Sequence, residues 1–342
     1  MNFPVTYFKE VLQEILAIDS PSGYTEKVVT RLRTYVNELG YENYVTNKGN
    51  LVVKVAGKSD KTVGISAHVD TLGLVVRGAG AGGTLSFSQV GGAIMPTLDG
   101  EYCKIYTRWG DVYTGTILSN SPASHVYDNA SSLARDADNM HVKLDEEVHS
   151  AEDVKKLGIL PGDFICYDPK TMITENGFIK SRFLDDKLSA AIIMATLKHF
   201  KDEGITPTHN ICAVFSTSEE VGHGLSHLPC DVSEFVAVDM GCIGSDLSCT
   251  EYDVSICAKD STGPYDYELT TRLIQLAKDA ELSFAVDIYP RYGSDVSAAR
   301  YAGYDIKGAL IGPGVAASHG MERSHMKAVE NAWKLLHLYL TA

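Results

Sequence analysis

The hydrophobic pattern changes period several times along the chain, and each change marks an element. Over residues 6–17 and 24–39 apolar residues recur every three or four positions, the spacing of an amphipathic helix, and Ser20-Pro21-Ser22-Gly23 breaks the chain between the two. Residues 44–55 read as a hairpin turning at Asn47-Lys48-Gly49-Asn50. Residues 62–67 form a short apolar strand that ends at His68. From about residue 72 to 167 the texture differs. Short β-like runs at 74–77, 84–89, 101–106, 112–118 and 163–166 lie between glycine-rich turns, which predicts a small all-β module.

After that module the longer pattern resumes. It predicts a helix over 187–204, a buried strand over 210–216, a strand over 235–239, a helix over 265–280, a strand over 305–311 and a terminal helix over 326–340. Strands alternating with helices imply an α/β domain whose parallel or mixed sheet is flanked by helices on both faces. Residues 1–71 and 168–342 are assigned to this domain, and 72–167 to an inserted, β-barrel-like one.

Composition narrows the function classes. The 342 residues are 44% hydrophobic, enough to fill the core of one large domain or two ordinary ones. A net charge of −14 repels phosphates and argues against nucleic acid as a partner. No apolar run approaches the ~20 residues needed to span a bilayer. The first residues lack the basic start and apolar run of a signal peptide. No membrane association and a cytoplasmic location are therefore expected. The seven cysteines are odd in number and irregularly spaced, without a CxxC, so reduced thiols are expected, with Cys212 as a small core residue.

The chemistry sits where strands stop, which is where open α/β sheets bind ligands. Ser66-Ala67-His68-Val69-Asp70 places a histidine and an acid two apart, on the same side of an extended chain. Such a histidine can ligate a metal while the acid fixes its tautomer, although a core histidine beside a capping aspartate has the same spelling. Leu184-Asp185-Asp186-Lys187 lies at the mouth of a helix, where adjacent acids either complement the helix dipole or bridge two cations. Ser218-Glu219-Glu220-Val221-Gly222 follows a buried strand, and packing does not explain a glutamate pair there. One carboxylate can ligate while its neighbour stays free as a base, the division that metal-assisted hydrolysis requires. Ala237-Val238-Asp239-Met240-Gly241 ends another strand on an acid. A polar loop, His319-Gly320-Met321-Glu322-Arg323-Ser324-His325, precedes the last helix. Histidine and carboxylate without thiolate suit zinc, cobalt or manganese.

The order of these motifs resembles that of the tetrahedral, or glutamyl, aminopeptidase family of dinuclear-metal enzymes, over nearly the whole chain. The Gly91-Gly92 turn and Leu157-Gly158-Ile159-Leu160-Pro161-Gly162-Asp163 are similar to parts of that family's β-rich second domain. The resemblance implies two divalent ions per chain, zinc foremost. His68, Asp185 and Asp239 would hold one, and Asp185, Glu220 and His319 the other. Asp185 would bridge, with a cis peptide to Asp186; Glu219 would be the general base and Asp70 would orient His68. It also implies short peptides with a free N-terminus as substrates, and a homo-oligomer, often a tetrahedral dodecamer, with the inserted domain serving assembly or substrate access. The sequence departs from the family pattern at Thr71, where glutamate is common, and at His319, which lacks the usual HSP-like context. His325 remains an alternative to His319, and Asp186 to Asp185. An amidohydrolase or deacylase acting on modified amino acids, and a catalytically inactive metal-binding homologue, are the competing readings.

Three other features have plainer explanations. His223 and His227 are four apart but flank Gly224, so loop positions are expected. Gly293-Ser294-Asp295 either lines the pocket or caps a helix. Arg291, Arg300 and Arg323 either read an acidic side chain or are surface charges.

Overall fold

A computed structural model describes all residues, 1–342, as two compact units: Met1–Thr71 with Lys170–Ala342, and Leu72–Pro169. The larger is built on a 10-stranded mixed sheet. At its centre Asn210–Ser216, Thr62–His68, Glu234–Val238 and Lys307–Val315 lie side by side, each pair parallel. These strands are buried along nearly their whole length, which is why they read as continuous apolar runs rather than alternations. The hairpin Glu42–Val45 and Leu51–Val55 extends one side antiparallel. Val254–Asp260 extends the other, antiparallel to Lys307–Val315, and carries Phe284–Ile288 beside it.

Helix Leu184–Asp202 is buried almost all round, because it packs on the central strands and is itself covered by Val5–Ala17 and Met326–Thr341. Ser189, Ala190, Ala191 and Ala195 keep its surface small enough for that close packing. Lys187, wholly buried near its start, donates to the carbonyls of Ile15 (2.8 Å) and Ile18 (2.7 Å), a cation at the C-terminal end of Val5–Ala17. No helix is long and apolar enough to cross a membrane.

Several elements exceed or escape the periodicity. The strand expected to stop at 311 continues through Gly312-Pro313-Gly314 to Val315. Gly-Pro-Gly, a combination common in turns, is extended here, with Pro313 opposite Val254 in the sheet. Val254–Asp260 and Phe284–Ile288 carry charged residues within short runs and gave no clear signal. Nor did the small sheet of Met172–Ile173, Phe178–Ser181 and Glu322–His325.

The second unit is a closed barrel in the order Gly73–Ala79, Thr84–Val90, Met140–Leu144, Val112–Ser119, Tyr102–Tyr106 and Phe164–Tyr167, the last pairing with the first. Alternate residues such as Leu74, Val76, Leu85, Phe87, Ile105 and Ile117 fill it. Met140–Leu144 and the helix Ala151–Lys156 lie within a charged stretch without a clear hydrophobic period.

One expectation is overturned. Cys212 is not a free core thiol: it forms a disulfide with Cys230, with 6.7 Å between Cα atoms. Asn210–Ser216 and Glu234–Val238 both run parallel to Thr62–His68, so the chain between them must return to the end of the sheet at which both strands start. That return brings Cys230, just before the second strand, to Cys212, near the start of the first. Cysteine spacing carries no trace of this. The other five cysteines are free.

Candidate active site

The five motifs converge in the larger unit at the carboxyl ends of the central strands. His68 is the last residue of Thr62–His68 and is 1% exposed; Asp70 is fully buried. His68 Nδ1 lies 3.0 Å from the Asp70 carbonyl oxygen and 3.5 Å from Asp70 Oδ1, which turns Nε2 toward Asp185. Asp185 and Asp186 have non-helical backbone angles at the mouth of their helix, and the peptide between them is cis. Asp185 Oδ1 is 3.0 Å from His68 Nε2, and its Oδ2 is 3.5 Å from His319 Nε2. One carboxylate thus faces both histidines with different oxygens. Glu220 Oε2 lies 3.5 Å from the same His319 nitrogen, and Glu219 Oε2 lies 3.8 Å from His68 Nε2. Asp239 follows Glu234–Val238, its Oδ1 accepting from the Met240 N–H at 2.6 Å. A Cβ at Gly312 would collide with the Asp239 carbonyl, so only glycine lets the neighbouring strand pass there.

Ligand atoms of His68, Asp186 and Asp239 all lie within 4.8 Å of one another, as do those of His68, Asp185 and Glu220. The donor set is nitrogen and oxygen only, which suits a borderline divalent cation. Glu220 Oε1 and Asp186 Oδ1 are buried without a hydrogen-bond partner, and such orphan oxygens cost free energy unless a cation meets them. The residues present therefore fit a metal centre.

The electrostatics agree. Burial pushes Glu219, Glu220 and Asp186 well above the usual carboxylate range, and neighbouring acids add to the shift. Burial and the charge of Asp185 push Asp239 up to about 7. Asp185 itself is the exception. Burial opposes its ionisation, but hydrogen bonds from His319 and His68 hold it below the usual range. A cluster of buried acids with so few cations is unfavourable by itself, and divalent ions would reverse that balance.

Several further side chains hold the cluster. Glu322 is buried and accepts from the N–H of His319 (2.8 Å) and of Asp185 (3.0 Å), tying two site backbones to one carboxylate. Burial and the Asp185 charge push it up to about 8. The only available sign was an acid three positions after His319. His319 itself has φ +64°, a left-handed conformation unusual outside glycine and concentrated at functional sites. Asn50 in the hairpin turn accepts from the Thr217 N–H (3.2 Å) and hydroxyl (2.9 Å) and donates to the Gly224 carbonyl (3.3 Å). The hairpin turn thereby clasps both ends of the Glu219–Glu220 loop, and Lys48 donates to the same Gly224 carbonyl (3.3 Å).

Of the remaining candidates only Asp295 adjoins the site, where its charge helps raise Glu219. Both ring nitrogens of His325 are engaged: Nε2 with the Asn176 carbonyl (2.8 Å), and Nδ1 with the Lys327 N–H (3.0 Å), where it caps the last helix. His223 and His227 are exposed loop residues, the latter 3.2 Å from the Tyr304 hydroxyl. Ser294 caps Asp295–Tyr301 with a capping box, and buried Asp295 accepts from Ser216 Oγ at 2.7 Å. Arg323 pairs with Glu251, Arg300 donates to the Pro264 carbonyl, and Arg291 is exposed.

A helix-covered mixed sheet with an acid–histidine cluster at its strand ends defines a class of candidate metal-dependent enzymes. The chain belongs to the M42 glutamyl aminopeptidase family, whose model matches residues 49–335. It is therefore a hydrolase of the peptidase type. It is 41% identical over 333 residues to a putative aminopeptidase, YhfE, of Bacillus subtilis, covering 97% of this chain and 96% of that one. It is 24% identical over 214 residues to a glutamyl aminopeptidase of Lactococcus lactis, covering 62% of this chain and 59% of that one. The fold matches the Pyrococcus horikoshii TET1 peptidase, with a TM-score of 0.85 at 21% identity over 98% of this chain and 99% of that one.

Proposed function

We propose that the chain is a dinuclear metallo-aminopeptidase that hydrolyses the first peptide bond of short peptides with a free N-terminus. The observation that supports this most is Asp185, whose two carboxylate oxygens face His68 and His319 separately. In this reading His68, Asp185 and Asp239 hold one ion, and Asp185, Glu220 and His319 the other. The ions, with zinc preferred and cobalt or manganese suited, supply an acidified water and a Lewis acid for the scissile carbonyl. Glu219, beside ligand Glu220 and 3.8 Å from His68, takes the proton of the attacking water and returns it to the leaving amine. The substrate's ammonium pairs with carboxylates of the same centre. Asp70 orients His68.

The Pyrococcus horikoshii relative assembles into a tetrahedron or a large octahedral shell. By analogy we propose a homo-oligomer. Tyr102 and Trp109 on the barrel unit, 70% and 72% exposed, are aromatic surface suited to self-association.

The direct experiment compares free and N-acetylated aminoacyl-p-nitroanilides, with metal content and molar mass by light scattering measured on the same preparation. Free substrates are expected to turn over at least 100-fold faster than blocked ones. A chelator should abolish that turnover, and zinc, cobalt or manganese should restore it. Cleavage of the blocked series instead would identify a deacylase. Two bound ions without any turnover would identify an inactive homologue, and a monomer would remove the assembly proposal.

The choice between the two loop histidines is tested separately. His319→Ala is expected to reduce bound metal to about one ion per chain, whereas His325→Ala should keep two, because its ring nitrogens are already engaged in capping the helix. The reverse pattern would exchange the two assignments.

A further inference from the structure

Ser20-Pro21-Ser22-Gly23 separates the first two helices, and nothing in the proposed chemistry accounts for its position. The structure lays it alongside the end of the His68 strand. Thr71 N–H donates to the Ser20 carbonyl (2.9 Å), Ser22 N–H donates to the Thr71 carbonyl (3.2 Å), and Pro21 pairs with Thr71 as an isolated parallel bridge. Ser20 Oγ donates to the Val69 carbonyl at 2.9 Å. These bonds fix the segment's backbone against Val69-Asp70-Thr71 on both sides of Asp70. Ser22 Oγ then donates to Asp70 Oδ2 at 2.5 Å, and both side chains are buried.

Asp70 also reaches forward. Its Oδ1 accepts from the Glu219 N–H at 3.2 Å and its Oδ2 from the Glu220 N–H at 3.3 Å. One carboxylate therefore joins three parts of the chain: the Ser22 hydroxyl, the His68 ring and the peptides of both glutamates. The two backbone bonds are long, and the hydroxyl bond is the short one. Because a carboxylate rotates about its last torsion, the Ser22 bond adds the shortest of the contacts that set the plane both glutamate peptides must meet.

We propose that Ser22 is a positioning residue for the peptidase reaction, acting through Asp70 to hold the Glu219–Glu220 backbone in register with His68. The proposal rests on Glu219 being the general base. Without the hydroxyl, Asp70 loses its shortest contact and is held only by the two long backbone bonds and the His68 ring, so the loop shifts relative to the proposed ligands. A displacement on the order of 1 Å at a reacting group is enough to lose ~100-fold in rate.

The test is a set of variants, Ser22→Ala, Ser22→Thr and Glu219→Gln, assayed for kcat, KM and metal content on one free aminoacyl-p-nitroanilide. Ser22→Ala is expected to lower kcat by roughly 10–100-fold while KM stays within about twofold and both ions are retained. Ser22→Thr keeps the hydroxyl and should recover most of the loss, which a role in packing alone would not produce. Turnover of Ser22→Ala within about threefold of the parent would overturn the proposal. So would loss of metal in Ser22→Ala, or an equal loss of kcat in Ser22→Thr, since either makes Ser22 a structural residue. Glu219→Gln separates the premise from the inference. If it retains turnover, the base assignment falls and the Ser22 proposal with it. If it loses turnover while Ser22→Ala does not, only the Ser22 proposal falls.

Discussion

Glu219→Gln is expected to lower kcat by roughly 10³-fold, the middle of the range that positioned proton transfer contributes, while the chain keeps both metal ions. Glutamine has the same shape, so the loop should keep its hold: the N–H groups of Glu219 and Glu220 that donate to Asp70 belong to the backbone. Glu220, the proposed ligand, with its Oε2 toward His319, is untouched by the change. What is lost is the ability to accept a proton, because an amide oxygen is far less basic than a carboxylate. The loss corresponds to about 4 kcal/mol of transition-state stabilisation. KM should change little if Glu219 acts on the water rather than on the substrate. Steady-state kinetics combined with metal analysis checks the pattern. Full turnover in this variant would sink the base assignment, and loss of metal would make Glu219 a ligand.

How far such a site can be read from sequence depends on whether its residues lie at ends of continuous apolar runs. His68, Asp185, Glu219, Glu220 and Asp239 do, or begin a long buried helix, and the structure brings all of them together with His319. Residues that hold the cluster from short or irregular segments were not legible. Glu322 lies in a four-residue strand whose partner, Phe178–Ser181, had no signal of its own, so nothing showed that its carboxylate turns inward to Asp185 and His319. Ser22 reads as a helix breaker, and its contact with Asp70 spans 48 residues. The Cys212–Cys230 bond required knowing that two parallel strands start at the same end of the sheet. The barrel unit showed its β texture, but strand Met140–Leu144 escaped, because charged neighbours mask its three buried positions.

The second large effect separates the adjacent aspartates. Asp185→Ala is expected to abolish measurable turnover and remove most of both ions, whereas Asp186→Asn should keep both ions and lose no more than ~10–100-fold in activity, the usual cost of a supporting contact. The difference follows from where their oxygens go. Asp185 divides its oxygens between His68 and His319, so alanine removes a shared anion and leaves two histidines facing an empty space. Asp186 turns one oxygen to the backbone N–H of His68 at 3.2 Å, and asparagine retains a carbonyl oxygen able to accept that bond. The other oxygen of Asp186 is a buried orphan, and a carboxylate oxygen of Asp186 lies within 4.8 Å of one from Asp239, which makes the comparison decisive. If Asp186→Asn loses one or both ions while Asp185→Ala retains them, Asp186 is the bridge. Metal content per chain by plasma mass spectrometry reads this directly, and a zinc titration monitored by thermal unfolding supports it, since an ion that binds only the folded chain raises Tm. The parent and Asp186→Asn should gain stability on adding zinc, and Asp185→Ala should gain little.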